Sequence, residues 1–291
     1  MIKKSKSADT RKKVSNMRIK AVSLDWENCC GEGKNIPWST QKIAQLATAL
    51  RLLSQTTGMR FFLNTGRPVP YMEAALQALG TVTNTPSIAE NGSILYYPET
   101  GRYKINPAIT PKKLVTFREI TGKLEEIVMK KGGIKELGKE FSFSTNPPRS
   151  ISVEDYFRLI RSEIMKINKD IWQSAEITHS QSAVDITIKD VNKESGLKFW
   201  CQSEGLDVSE LAGLGDSRGD WPVLKKVTLP MCPANATPET KKLVRKRGGY
   251  ISSFPTTLGV IDAIGYLSNQ ESVRIYVNNI LTSHEKQISL S

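Results

Sequence analysis

The sequence predicts an α/β protein with a Rossmann-like parallel sheet, and two observations support this fold class. Short apolar runs alternate with segments of helical periodicity on either side of a more charged middle third. Several runs end directly at polar residues: run 19–24 stops at Asp25 and run 60–63 stops at Asn64. Ligands of open parallel sheets bind beyond the carboxyl ends of the strands, so we expect the functional residues to gather there.

Predicted strands and helices alternate through the first part of the chain. A helix from about Thr40 carries its apolar residues on one stripe, which can pack on a sheet. Prolines precede a second helix, and Asn91-Gly92 indicates a turn between two short strands. The expected elements are strands at 19–24, 60–63, 87–89 and 93–97 and helices from about 40 and at 71–79.

The middle third is predicted to form a separate α+β module. After Pro107 we expect a long amphipathic helix, a strand near 140–144, a helix through 156–164 and a strand at 183–188. The α/β pattern resumes at Lys193, with a helix to about 203, an apolar run at 211–215, a strand at 227–231 and a helix at 256–267. We therefore expect a core domain formed by 19–107 and 189–291, with a domain inserted at 108–188.

Charge and composition exclude several classes of protein. The net charge is +12, but residues 1–20 alone carry eight Lys or Arg against one acid, Asp9. We interpret residues 1–18 as a basic, disordered tail that contacts polyanions weakly at most. No apolar run is long enough to span a bilayer, and no secretory leader is recognisable. We expect a cytoplasmic protein with no membrane partner and with reduced cysteines; the oligomeric state stays open.

Carboxylate, hydroxyl and basic side chains follow three of the predicted strands, and a lysine follows a fourth. They are Asp25 with Glu27, Thr65 with Arg67, Asp216 with Ser217 and Asp220, and Lys193. Three carboxylates brought together can hold a hard cation such as Mg²⁺, which prefers oxygen ligands. A lysine and a hydroxyl would complement the phosphate charge, so the set predicts phosphoryl transfer. Taken singly, each residue is more simply a turn former, a helix cap or a solvated side chain; the hypothesis rests on their joint occurrence.

In this order the segments resemble the four motifs of the haloacid dehalogenase (HAD) superfamily. They are 23–28 with Asp25, 63–67 with Thr65, 191–197 with Lys193, and 215–220 with Asp216. The turn at 89–92 and the insertion at 108–188 resemble the Cof-type branch with a C2 cap, which includes sucrose-phosphate and mannosyl-3-phosphoglycerate phosphatases. The resemblance covers residues 19 to about 268. It implies a Rossmann-like HAD core with an inserted α+β cap of the C2 type.

The resemblance also implies an activity, that of a Mg²⁺-dependent phosphatase acting on a phosphorylated sugar or similar small metabolite. Asp25 would attack phosphorus to form an aspartyl phosphate, and Glu27 would occupy the position of the proton donor. Thr65 would hydrogen-bond a phosphoryl oxygen, and Lys193 would neutralise charge. The implied magnesium ligands are Asp25, the main-chain carbonyl of Glu27, Asp216 and Asp220, the last directly or through water. The implied substrate-binding residues are Asn64, Thr65, Gly66, Arg67, Asn91, Lys193 and Arg218.

Departures from the first motif leave alternatives open. Glu27 stands where the superfamily normally has Asp, and Asn28-Cys29 replaces the usual Gly-Thr. The extra methylene moves the carboxyl by about 1.5 Å, and such a shift is expensive for rate. The alternative hypothesis is a degenerate HAD fold that binds a phosphorylated ligand or a partner with little or no turnover. Nucleic-acid binding through the tail and the basic run 241–247 is the least favoured reading, because much of the excess charge lies in the tail.

Overall fold

The computed structural model describes residues 18–81, 83–167, 173–179 and 183–290, with side chains up to residue 287. The basic tail expected at 1–18 lies outside the described residues, except for Arg18. Among the described residues, no helix combines the length and the apolar character that a membrane span requires.

Strands and helices alternate along most of the described chain. The strands are β1 (Ala21–Leu24), β2 (Arg60–Leu63), β3 (Ser87–Ala89), β4 (Ile94–Tyr97), β5 (Arg102–Ile105), β6 (Ile134–Lys135), β7 (Ser142–Asn146), β8 (Ala175–His179), β9 (Val184–Ile188), β10 (Leu211–Leu214), β11 (Leu229–Cys232) and β12 (Tyr250–Ile251). The helices are α1 (Thr40–Thr57), α2 (Val69–Ala78), α3 (Pro111–Lys130), α4 (Val153–Ile167), α5 (Lys193–Glu204), α6 (Trp221–Leu224), α7 (Pro238–Lys246), α8 (Thr256–Leu267) and α9 (Glu271–Leu290).

A parallel sheet in the order β12-β11-β10-β1-β2 forms the centre of the protein. Every residue of β1 and β10 is buried, as expected for a parallel sheet covered by helices on both faces. Leu24 is in register with Leu214 on one side and with Leu63 on the other, so these three strands end level. The polar residues that follow them therefore meet at one edge of the sheet.

Helix α1 shows how the sequence builds the layer over this sheet. It begins at Ser39, whose hydroxyl accepts a hydrogen bond from the main chain of Lys42, and it ends at Gly58, which takes a φ of +70°. The apolar stripe predicted for α1 is buried in the main core cluster, to which α8 and α9 also contribute. The stripe is what holds the helix against the sheet, since a helix of mixed polarity gains most of its stability from such packing.

Two antiparallel sheets complete the fold, in the orders β3-β4-β5 and β6-β7-β9-β8. In the second sheet, Phe143, Val184 and Ile186 pack with α3 and α4 in a separate apolar cluster. Successive side chains of a strand point to opposite faces, so the alternate residues Ser144 and Asp185 lie on the other, polar face. We call β6–β9 with α3 and α4 the inserted module.

The predicted fold class is confirmed: a parallel α/β sheet with additional antiparallel sheets. The sequence did not predict β5, β6, β8, β12, α6, α7 or α9. Strand β5 alternates basic and apolar residues over only four positions, and it is exposed along its whole length, so no buried face marks it in the sequence. Helix α7 buries Thr240 and Val244 within a strongly basic segment, where charge masks the helical period. The boundaries 108 and 188 of the inserted domain stay a proposal.

Candidate active site

Asp25 lies at the carboxyl end of the central strand β1. Its main-chain N–H donates to Leu214 O at 3.0 Å, which continues the ladder between β1 and β10 by one residue. Asp216 follows β10 two residues after that strand ends, and both aspartates are buried. The alignment of two adjacent parallel strands therefore brings together carboxylates that are almost 200 residues apart. This agrees with the expectation that functional residues gather at the carboxyl ends of parallel strands.

Lys193 connects two of these carboxylates. Its Nζ lies 2.7 Å from Asp25 Oδ1 and 2.7 Å from Asp220 Oδ1. The other oxygen of Asp220 accepts from the main-chain N–H groups of Asp216 (3.0 Å) and Ser217 (3.1 Å). Asp220 thus orients both the lysine and the loop that carries Asp216.

Gly215 is required for this loop. A Cβ at position 215 would lie 2.3 Å from the Cβ of Asp220, so a side chain there would displace the carboxylate. The close approach of Asp220 therefore explains why a glycine precedes Asp216 in the fourth motif.

Burial dominates the electrostatics of the cluster. It raises the pKa of Asp25 to about 7, with the charge of Asp220 adding to the effect and Lys193 opposing it. It raises the pKa of Asp216 to about 8, again with Asp220 and Asp25 adding to it. Burial works to lower the pKa of Lys193, but Asp220 and Asp25 raise it above its ordinary value. Of the three buried carboxylates, Asp25 and Asp220 contact the ammonium group of Lys193, and Asp216 lies nearby. The fully ionised cluster therefore lacks two positive charges.

This deficit is what a divalent cation would supply, and the donor set fits one. Oxygens of Asp25 and Asp216 and the Sγ of Cys29 lie within 4.8 Å of one another, and all three residues are buried. Carboxylate oxygens suit Mg²⁺, whereas a thiol is a softer donor. Burial, followed by the charge of Asp216, raises the pKa of Cys29 well above its ordinary value, so the thiol is neutral in the absence of a metal.

The second motif forms a loop held by main-chain hydrogen bonds. Thr65 N–H donates to Ile88 O at 3.0 Å, and Asn91 N–H donates to Thr65 O at 3.0 Å. The hydroxyl of Thr65 accepts from Arg67 N–H at 3.2 Å. A Cβ on Gly66 would lie 2.9 Å from Asn91 Oδ1, so the glycine lets the amide of Asn91 approach the loop. Thr65, Gly66 and Asn91 therefore lie together, and their part in substrate binding stays a prediction.

Asn64 joins this loop to the helix that carries Lys193. Its Nδ2 donates to Lys193 O at 3.3 Å, and its buried Oδ1 has no hydrogen-bond partner among the described residues. Helix α5 begins in a capping box: Asn192 Oδ1 accepts from Ser195 N–H at 3.1 Å, and Ser195 Oγ accepts from Asn192 N–H at 3.0 Å. The cap fixes the first turn of the helix, and with it the base of the Lys193 side chain.

Glu27 forms an ion pair with Arg67, and the contact includes a hydrogen bond of 2.9 Å from Arg67 Nε to Glu27 Oε1. The guanidinium lies over the ring of Tyr71, 4.7 Å from its centroid. The hydroxyl of Tyr71 accepts from Trp26 Nε1 at 3.3 Å, and Trp38 packs edge-on between the two rings. An aromatic cluster thus supports the arginine that holds the proposed proton donor.

The polar face of the inserted module contacts the core beside this pair. Lys34 forms an ion pair with Glu136 and donates to Asn146 Oδ1 at 2.6 Å. Lys139 Nζ lies 3.1 Å from Glu136 Oε2 and 3.8 Å from Asp185 Oδ1. The two lysines lower the pKa of Glu136 to about 2, although burial alone would raise it. The module therefore presents charged side chains to the core, and they pair with one another and with Lys34 of the core.

The structure brings most of the predicted site residues together, but it places Arg218 differently from the buried group. Arg218 is exposed, and its guanidinium lies 5.8 Å from the centroid of the Trp221 ring. Its role in anion binding stays a prediction. Sequence reasoning missed Cys29, Glu90, Lys34 and Glu136. Local signals existed for two of them: Cys29 lies four residues after Asp25, and Glu90 lies in the turn at 89–92.

Comparisons with known proteins find similarity to hydrolases and to proteins named phosphatases. The profile of the haloacid dehalogenase-like hydrolases matches residues 139–264. A phosphoglycolate phosphatase from Methanobrevibacter smithii is 24% identical over 259 residues, covering 85% of this chain and 98% of that protein. A protein of the same name from Methanopyrus kandleri is 27% identical over 194 residues, covering 65% of this chain and 75% of that protein.

Solved structures share the fold at lower sequence identity. A HAD/COF-like hydrolase from Plasmodium vivax aligns with a TM-score of 0.63 and 13% identity, covering 94% of this chain and 99% of that chain. A sucrose-phosphatase from Synechocystis aligns with a TM-score of 0.58 and 15% identity, covering 86% and 98% respectively. Fold and site together define a hydrolytic enzyme on a parallel-sheet core with an inserted antiparallel module. The chain is similar to the haloacid dehalogenase-like hydrolases over residues 139–264, and it shares its fold with a HAD/COF-like hydrolase.

Proposed function

We propose that this protein is a Mg²⁺-dependent phosphatase that hydrolyses a small phosphorylated metabolite through an aspartyl phosphate on Asp25. The observation that carries the proposal is the contact of one ammonium group, Lys193 Nζ, with both Asp25 and Asp220 at 2.7 Å, beside Asp216. The family and the names of the relatives support phosphatase activity in general. The metal, the intermediate and the substrate are our proposals.

Asp25 is the proposed nucleophile. One of its oxygens is held by Lys193, which leaves the second carboxylate oxygen to attack phosphorus. The P–O bond to the leaving group breaks as the bond to Asp25 forms, and water then attacks phosphorus to release inorganic phosphate and regenerate the carboxylate. Lys193 and the hydroxyl of Thr65 are placed at the edge of the sheet where the charge of the transferring group develops.

Asp25, Asp216 and the main-chain carbonyl of Glu27 are the groups that would hold the cation. Bound there, Mg²⁺ would offset the charge of the phosphoryl group and orient it toward Asp25. Asp220 accepts hydrogen bonds from Lys193 and from the main chain of Asp216 and Ser217. Its part is therefore to orient the ligands, and any contact with the cation would pass through water.

Glu27 is the proposed donor of a proton to the departing oxygen. Arg67 restrains the carboxylate through a directed ion pair, which reduces the freedom that the longer Glu side chain would otherwise have. For the transfer to occur, the pair has to open or shift, because a carboxylate engaged by a guanidinium is an acceptor. Binding of an anionic substrate beside Arg67 would provide that competition.

The substrate is expected to be polar, because the inserted module faces the core with charged and hydroxyl groups. Activity assays on a panel of phosphorylated metabolites with MgCl₂ test the proposal. The panel should include sugar phosphates and phosphoglycolate, because several relatives are named phosphoglycolate phosphatases. We expect release of inorganic phosphate from a subset of the panel and its loss on adding EDTA. Release that persists in excess EDTA would reject the metal, and failure across the panel and with aryl phosphates would reject the activity.

The ion pair of Glu27 with Arg67 favours a second candidate, a HAD fold that binds a phosphorylated ligand without useful turnover. In this candidate the pair stays closed and Glu27 does not donate. Measurable turnover by the purified wild type would exclude it. An inactive wild type that gains activity on Glu27→Asp would support it and identify the donor position as the block.

A further inference from the structure

The carboxylate of Glu90 joins the core to the inserted module. Glu90 is 1% exposed and lies in the turn between β3 and β4. Its oxygens accept from the main-chain N–H groups of Glu140 (2.9 Å), Phe141 (2.8 Å) and Ser142 (3.0 Å). The hydroxyl of Ser142 donates to it as well, at 3.1 Å. Donors from three consecutive residues of the module thus converge on one buried carboxylate of the core.

The main chain on the other side of Glu90 is fixed to the loop of the second motif. Glu90 N–H donates to Arg67 O at 3.1 Å, and the next residue, Asn91, donates to Thr65 O. Glu90 itself has a φ of +48°, a left-handed conformation that is uncommon for residues other than glycine. Such a conformation costs free energy and persists where the surroundings impose it. The backbone is therefore held in the one orientation that points the side chain at the module.

The segment that Glu90 holds is continuous with the charged surface beside Glu27. Glu136 and Lys139 lie a few residues before Glu140, and Glu136 reaches Lys34 of the core. Gly138 packs beside Pro68, which directly follows Arg67: a Cβ at position 138 would lie 3.4 Å from Pro68 Cγ. Segment 136–142 therefore runs along the second-motif loop, with Glu90 fixing one end and Lys34 the other.

We propose that Glu90 is a positioning residue that sets the register of segment 136–142 over the phosphate site. The inference rests on the proposed function, since it names the element that holds the substrate-selecting surface beside the second-motif loop. A carboxylate is required because four donors need acceptor oxygens, whereas the NH₂ of an amide would face donors. Hydrogen bonds to a charged acceptor are about twice as strong as neutral ones, so removing the charge weakens the whole contact.

The test is hydrogen–deuterium exchange of the full chain, resolved for the amides of 140–142, in wild type, Glu90→Gln and Glu140→Gln. Glu140 is a matched control, because it belongs to the same segment and its side chain is exposed. We expect Glu90→Gln to accelerate exchange at 140–142 by about ten- to a hundred-fold relative to the rest of the protein. Glu140→Gln should leave it within about two-fold.

Two further readouts separate positioning from a merely structural role. Affinity for inorganic phosphate, which occupies only the core site, should stay within two-fold in Glu90→Gln. The kcat/KM for the best metabolite of the panel should fall about ten-fold, since its leaving group contacts the module. Uniformly faster exchange with a parallel loss of phosphate affinity, or unchanged exchange at 140–142, would overturn the inference. The exchange rates at 140–142 can be compared even if the wild type is inactive. Failure of the phosphatase proposal can therefore be distinguished from failure of this inference.

A milder variant covers the case in which Glu90→Gln does not fold. Ser142→Ala removes one of the four donors to Glu90 and introduces no new polar group. We expect it to accelerate exchange at 140–142 by a few-fold; unchanged exchange in this variant would also count against the inference.

Discussion

Arg67 Nε lies 2.9 Å from Oε1 of Glu27, and the guanidinium rests on the ring of Tyr71. This pair places the Glu that replaces the usual Asp at the edge of the candidate site. The carboxylate is therefore held in a defined position despite its longer side chain. In the proposed mechanism, the efficiency of Glu27 as the proton donor depends on how readily this ion pair opens.

The first prediction concerns the proton donor. Glu27→Gln should lower kcat by about 10²- to 10⁴-fold for a metabolite whose leaving oxygen needs a proton. The loss should be much smaller for p-nitrophenyl phosphate, because its leaving group departs without protonation. Steady-state kinetics with both substrates checks this, and Glu32→Gln, a change in the same loop, should leave both rates near wild type. An equal loss on both substrates would assign Glu27 to binding or folding.

The second prediction concerns the buried lysine. Lys193→Met leaves Asp25 and Asp220 without their shared partner, which should destabilise the protein by roughly 3–5 kcal/mol and abolish turnover. Urea unfolding in the presence of MgCl₂ measures the change. Lys198→Met, on the same helix but exposed, should change the free energy of unfolding by no more than about 0.5 kcal/mol. Similar unfolding midpoints for the two variants would show that the buried cluster does not depend on Lys193.

The third prediction concerns pH and metal. In the folded, metal-free protein, Asp25 and Asp216 keep their protons up to about pH 7 and about pH 8, whereas the unfolded chain loses them near 3.8. Between these values the folded state binds more protons than the unfolded state, so stability falls as pH rises. Melting temperatures in EDTA should therefore decrease from pH 5 to pH 8.

Saturating MgCl₂ should reduce this decrease, because a bound cation replaces the protons as the counter-charge. Asp216→Asn should reduce it in EDTA as well, by removing one of the two titrating groups. A melting temperature in EDTA that rises over the same interval would contradict the assignment of these carboxylates as a cation site.

The fourth prediction concerns the packing that positions helix α5. Gly92 has a φ of +103°, and a Cβ there would lie 2.1 Å from Asn192 O. Gly92→Ala should therefore displace the start of the helix that carries Lys193, lowering both the melting temperature and the affinity for inorganic phosphate. Gly122→Ala is the control: its Cβ would meet nothing within 4 Å on helix α3, so stability should be unchanged or slightly higher. Wild-type phosphate affinity in Gly92→Ala would show that this contact does not position Lys193.

The sequence predicted the parts of the site that follow buried strands. Asp25 comes directly after the apolar run 19–24, and Thr65 is the second residue after the run 60–63. Parallel pairing of β1 with β2 and β10 brings the carboxyl ends of these strands together. The resemblance assigned Lys193 and Asp25 to one site, and the structure shows that they are in direct contact. Their catalytic roles stay predictions.

The residues that sequence reasoning missed are those whose partners lie far along the chain. Glu90 meets its donors 50–52 residues later, and Lys34 meets Glu136 across 102 residues. No local pattern specifies such contacts, because they depend on how the inserted module sits on the core. Helix α9 lies beyond residue 268, where the resemblance to known motifs ends.

The most direct test of the account is to search for the phosphoryl group on Asp25. Wild-type protein mixed with its best substrate and MgCl₂ is quenched in acid within one turnover, digested, and the peptides are weighed. The account predicts a peptide containing Asp25 that is heavier by one phosphoryl group, and its absence in Asp25→Asn, whose turnover falls by on the order of 10³-fold or more. Full Mg²⁺-dependent turnover by Asp25→Asn, or a phosphorylated peptide that does not contain Asp25, would contradict it.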